Sequence, residues 1–442
     1  MGQDDRTREI ATLPESVAEA YGATALARQA RVCAAVGAAS GQQESGRADM
    51  LQIELPDTKP SASRTGGALW NLGFRPFYFL AGIFAAVSIA LWVGQYAGYL
   101  PTPYLSGAAE HGQEMLFGYT LAVVAGFLFT AVRNWTNRPT PTGATLVAFA
   151  MLWIAGRLLA VTRYALLAAW VDAAFPVAVA IGIAVPLLRS GNRRNYFFVA
   201  LLGLLGLSAL IAHFSNFGGS ASVSLQTGLD LVLFILVVMG GRVIPMFTNN
   251  GVPGVQARRH RLLEALAPGS VLALLAADAL RAPSGVIVFL TLASAAAQLG
   301  RLCLWQPWRT LASPLVWILH ASYAWIAVHL GLRALVAVGV LPAPLAIHAL
   351  TIGAIGGMTI GMMTRTSKGH TGRLLIADRY DLVCYCLIQL AAIVRVFGGM
   401  SLPSFYRETV IGSGIVWIIA FGLFAARYWA VLSRPRLDGK PG

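Results

Sequence analysis

The sequence predicts an all-α fold, a polytopic membrane bundle of about twelve helices with both termini cytoplasmic. Three observations predict it. Hydrophobic residues make up 57% of the 442 and charged residues only 12%, whereas a soluble domain carries about a quarter charged residues. Apolar runs recur along most of the length, each near the roughly 20 residues that cross a bilayer as helix. The short alternating strands that would signal a membrane β-barrel are absent from the pattern.

The runs fall near 76–98, 115–134, 143–162, 164–188, 195–212, 224–244, 262–280, 284–304, 313–335, 343–365, 380–397 and 408–430. The first must act as the targeting signal, because residues 1–60 are polar and lack an apolar leader segment. Only Thr162-Arg163-Tyr164 separates the third and fourth runs, so this is the least marked boundary. Twelve crossings bring both ends to one side, and the basic residues choose it. Of 27 Lys and Arg beyond residue 60, 21 flank one set of alternate loops. Five (Arg163, Arg281, Arg333, Arg395 and Arg407) belong to the other set, and Arg157 lies within span 3. The richer side is cytoplasmic by the positive-inside rule, which places the protein in the cell inner membrane.

The same count disposes of nucleic acid as a partner. The net charge of +14 is scattered along helix ends, with no basic-aromatic groove for a strand to follow. The partner that the pattern does imply is the lipid bilayer. Residues 1–65 form a polar N-terminal tail, expected to be disordered for want of apolar surface. Residues 66–432 form the membrane domain and 433–442 a short basic tail. Cys384 and Cys386 diverge by about 200° around a helix, a poor geometry for a shared metal or disulfide. Spans 2, 6 and 10 each exit through an arginine and a threonine, at Thr130–Thr136, Arg242–Thr248 and Met363–Thr366. That rhythm suits three four-helix units or chance resemblance between helix exits.

Topology sorts the seven histidines. His111, His213, His329 and His348 fall in the outer half of the membrane, His320 lies deeper in span 9, and His260 and His370 belong to cytoplasmic loops. A lone intramembrane histidine is ordinarily a hydrogen-bonding packer. Four at one depth favour a metal or cofactor, since neutral imidazole is the commonest metal ligand. His111 and Glu114 are three apart on one helical face, which suits either a site or a charged helix start. Small residues below them (Gly118 and Gly126) and in span 10 (Gly353, Gly357 and Gly361) suit close helix packing or clearance for a flat macrocycle. Asp230 suits a proton relay, the second nitrogen of a liganding histidine, or a neighbouring arginine.

These stretches resemble the NnrS family of haem- and copper-containing membrane proteins. The likeness runs from about residue 66 to 430 and rests on several motifs in one order. They are Asn71-Leu72-Gly73-Phe74-Arg75-Pro76-Phe77, His111-x-x-Glu114-Met115-Leu116-Phe117-Gly118, Gly241-Arg242-Val243-Ile244-Pro245-x-Phe247-Thr248 and Leu319-His320. The longest begins His348-Ala349-Leu350-Thr351 and continues to Gly369-His370-Thr371-Gly372-Arg373. The resemblance implies twelve spans and a role linked to nitric oxide, nitrosative stress and denitrification. It also implies haem and copper, with one departure: the family's span 2 motif reads His-x-His-Glu-Met, and here Gln113 replaces the second histidine. Glutamine is a poor substitute for imidazole, which puts copper in question more than haem.

The expectation is therefore a haem protein with His111 and His348 as cofactor ligands and His213, His320 and His329 as candidates for a second metal, copper. Glu114, Gln113 and Asp230 stand as outer-shell or proton-handling groups. Nitric oxide or a related small molecule is the expected partner, in a protective or responsive role, and catalysis is left open. The alternative is a proton- or metal-coupled transporter that uses the same residues as a pathway.

Overall fold

A computed structural model describes residues 67–100, 107–215 and 221–440, so the tail expected over 1–65 lies outside the described residues. Every regular element among them is helical. Twelve helices are long and apolar enough to cross a membrane. They are α1 (Phe74–Tyr96), α2 (Ala108–Thr136), α3 (Gly143–Ala160), α4 (Ala165–Ser190), α5 (Arg193–Phe214) and α6 (Val223–Gly251), then α7 (Arg261–Ala279), α8 (Ser284–Arg309), α9 (Pro314–Ala337), α10 (Ala343–His370), α11 (Arg379–Ser401) and α12 (Pro403–Ser433). Each answers to one expected span, in order.

Helix is the form that satisfies every backbone group within a segment surrounded by lipid. The boundary at Thr162 is real: its hydroxyl donates to the Leu159 carbonyl (2.7 Å) and accepts from the Tyr164 amide (3.2 Å), closing α3 before α4 begins. α11 opens on a capping box. Asp378 accepts from the Tyr380 and Asp381 amides, and the Asp381 carboxylate accepts from the Asp378 amide. Leu158, Ile181 and Leu188 are each more than 60% exposed, a disposition that suits hydrocarbon rather than water.

The most extensive packing joins α1 to α12, α4 to α5 and α8 to α9. The strongest pairings thus recur every four helices, in keeping with three four-helix units. The apolar windows of α2, α6, α9 and α10 are 67–83% buried, against 28% and 22% for α3 and α7. The first four therefore make the centre of the bundle.

The glycine stripes serve this packing. A methyl group added at Gly353 would collide with the Trp325 side chain, one at Gly357 with Ser322 and Gln389, and one at Gly361 with Ile318. Those at Gly118 and Gly126 would meet Phe84 and Phe77. Clearance for a macrocycle is thus not what these glycines provide, because side chains of α1, α9 and α11 already fill the space. Arg75 donates from Nη1 to the carbonyls of Leu432 and Arg434 (2.8 Å each), tying the start of α1 to the end of α12. Cys384 is buried while Cys386 and Cys303 are exposed, so the close cysteine pair does point apart.

Candidate functional site

Among the described residues three segments are wound as π-helix, Glu114–Thr120 in α2, Ala349–Gly356 in α10 and Val394–Gly398 in α11. Such wider turns are rare and cluster at functional sites. Here they cluster at one cavity. His111 stands one turn before the first, His348 immediately before the second, and Arg395 lies within the third. All three side chains line a cavity of about 330 Å³ at the end of the bundle where even helices begin and odd helices end. Trp92, Tyr119, Ile355 and Trp417 supply apolar wall.

The two imidazoles reach this wall from separate helices. His348 Nδ1 donates to the Pro344 carbonyl one turn earlier (2.6 Å), which leaves the Nε2 lone pair free to bind. The His111 ring stacks on Trp92, with centroids 4.6 Å apart and planes 16° from parallel. Its Nδ1 is buried and has no hydrogen-bond partner. Beneath them the Tyr119 hydroxyl and Thr359 Oγ1 lie 2.5 Å apart, joining α2 to α10. Trp417 Nε1 donates to the Ala85 carbonyl (3.0 Å), holding α12 against α1. Two imidazoles from separate helices lining one largely apolar chamber are a donor set suited to haem iron.

The other expected site residues lie elsewhere. Glu114 does not share the cavity with His111. Its carboxylate accepts from Arg157 Nη1 (2.5 Å), and Arg157 also pairs with Asp172. Asp172 in turn bonds His213 Nε2 (2.9 Å). The physical reason is that residues three apart on an α-helix still point about 60° away from one another, enough for His111 to line the cavity while Glu114 meets Arg157 of α3. Asp230 accepts from Arg333 (2.8 Å) and from Gln226 (3.0 Å), and Arg333 pairs with Asp278 as well. Its partner is an arginine rather than a liganding histidine.

The proposed second metal set does not converge. His213 is taken by Asp172, His320 Nε2 sits 2.8 Å from Thr248 Oγ1, and His329 Nδ1 donates to the Ala346 carbonyl (2.7 Å). Among the described residues no group of three or more His, Cys, Asp or Glu is placed to hold a metal ion. Gln113 is buried with Nε2 unpartnered and is not part of the cavity wall.

Sequence reasoning missed Arg395 as a wall residue, and Arg157 and Arg333 as partners. One signal pointed to them, since all three are exceptions to the positive-inside distribution. A second hollow, about 570 Å³, opens at the opposite end among Trp135, Asn195 and three arginines, Arg194, Arg242 and Arg259. Arg242 donates to Asn195 Oδ1 (2.6 Å).

No curated protein matches the chain. The profile of the NnrS protein family matches residues 68–436, which spans all twelve helices. A twelve-helix membrane protein matched over most of its length in this way belongs to the NnrS family.

Proposed function

We propose that this protein binds haem in the cavity between α2 and α10, with His111 and His348 as the iron ligands. Its role is the response to, or protection from, nitric oxide during denitrification, in the cell inner membrane. One observation carries the reading: two histidines from different central helices wall a single apolar cavity, one with its second nitrogen fixed by a carbonyl. Membership in the NnrS family supports the link to nitric oxide. When bound, haem would supply an iron centre for nitric oxide or a related small molecule. The residues of the chain supply orientation, through the Trp92 stack and the Pro344 carbonyl, and exclude water with an apolar wall.

Copper has less support, because Gln113 occupies the family's second histidine position and, among the described residues, no group of three or more His, Cys, Asp or Glu gathers at His213, His320 or His329. The transporter alternative also has less support, since Glu114, Asp172, Asp230 and Asp278 are each committed to an arginine. The test is the absorption spectrum of purified protein. His111→Ala and His348→Ala are each expected to lose or strongly shift the Soret band, while His260→Ala at the start of α7 keeps it. An unchanged haem spectrum in both cavity variants would overturn the assignment.

A further inference from the structure

Three arginines at the His111 end of the bundle are buried, and they are not treated alike. Arg157 and Arg333 each pair with two carboxylates, Glu114 and Asp172 for the first, Asp230 and Asp278 for the second. Arg395 is the most buried of the three, at 6% exposure. Among the described residues its hydrogen bond is to one side chain: Nη2 donates to the Tyr406 hydroxyl (2.9 Å), with the guanidinium 5.0 Å from the Tyr406 ring centre. Nη1 is buried and has no partner, and no carboxylate pairs with Arg395 among the described residues. In sequence, 101–106 and 216–220 contain no Asp or Glu. A guanidinium always carries its charge, and an uncompensated one in an apolar interior is strongly unfavourable. The bundle meets that demand twice with protein carboxylates. At the third place it leaves an open cavity instead.

We propose that Arg395 anchors an anionic oxygen group belonging to whatever fills the His111–His348 cavity, a carboxylate above all. The planar fork of donors suits two carboxylate oxygens at once. Tyr406 lines the same cavity, and because its oxygen accepts from Arg395, its own proton is free to go to the same anion. The ligand would thereby be held by imidazoles and by a guanidinium of the same cavity wall. That the group is a side-arm carboxylate of haem rests on the function proposed above. A free small anion such as nitrite is the other source of the same chemistry.

Full-length protein prepared haem-poor and purified in detergent separates these sources. It is titrated with haemin and with haemin dimethyl ester, which keeps ring and iron but has no free carboxylate. Wild type is expected to bind haemin about tenfold or more tightly than the ester, the worth of a charge-assisted hydrogen bond. Arg395→Gln is expected to erase that preference, and Arg395→Lys to restore part of it. Equal affinity of the wild type for acid and ester overturns the side-arm source, whether or not the variants fold. If neither ring compound binds, the proposed function fails instead, and the anchor is tested with nitrite through the fluorescence of Trp92 and Trp417. A nitrite response lost in Arg395→Gln supports a free-anion source. The absence of both an acid preference and an Arg395-dependent nitrite response overturns the anchor.

Discussion

The two hollows at opposite ends of the bundle hold arginine on different terms. Between α2 and α10 the wall is aromatic and aliphatic, and its single arginine is buried with one nitrogen unpartnered. At the other end three arginines gather with asparagines around a larger polar hollow, and two of them, Arg194 and Arg259, are exposed. Water compensates a cation at a wet rim, so clustering there needs no counter-charge from the protein. In a dry wall the compensation must come from a carboxylate or from a ligand. The difference teaches that an arginine count alone says little, whereas an arginine whose surroundings cannot solvate it says what is required beside it.

This comparison presumes that the ends face different compartments, and that is its most absolute test. Reporter fusions in the 99–113 loop should register as outside, and fusions in the 249–261 loop as inside. The reverse pattern would break the sidedness, and with it the meaning of the buried arginines as exceptions. Next in size is Arg157→Ala, which strands Glu114 and Asp172 in the interior and should cost about 3–5 kcal/mol. Arg194→Ala at the basic hollow should stay within about 0.5 kcal/mol. Thermal unfolding in one detergent compares them, and similar losses would erase the contrast.

Gly353→Leu should cost about 1–3 kcal/mol by forcing α10 off Trp325 of α9. Haem content should then fall only as far as folded protein falls; selective loss of haem would return the glycine stripe to the cavity. The smallest expected change concerns copper. Elemental analysis should find little in the natural protein and more in Gln113→His. Stoichiometric copper with Gln113 in place would show that a metal site exists without the second histidine.

Much of the fold was legible because lipid leaves few choices. Apolar runs of spanning length become helices, and even the boundary at Thr162 was marked by three residues that close a turn. Depth follows from topology and set His111 and His348 at one level, but it set His213 and His329 there too, so it did not single out the two that line the cavity. Their neighbours were not legible. Arg157 meets Glu114 across 43 positions and Arg333 meets Asp230 across 103, and no local pattern encodes a partner on another helix. The glycines of α10 were ambiguous for a related reason: packing and cofactor clearance both call for small residues, and only the position of Trp325 decides between them. The wall at Arg395 depended on π-wound turns, which leave hydropathy unchanged.

Those turns carry a consequence for how the site is inherited. An ordinary helix advances by about 100° per residue, so one added residue shifts the phase of everything beyond it. Stretches at Glu114–Thr120, Ala349–Gly356 and Val394–Gly398 each hold such an offset beside the cavity. Deleting one residue from the segment that contains Arg395 would keep α11 helical, apolar and membrane-spanning, yet swing its outer end about a quarter turn. The chamber is written in the phase relation between helices as much as in its wall residues. A lineage can therefore lose it through a single-codon deletion while every histidine stays in place.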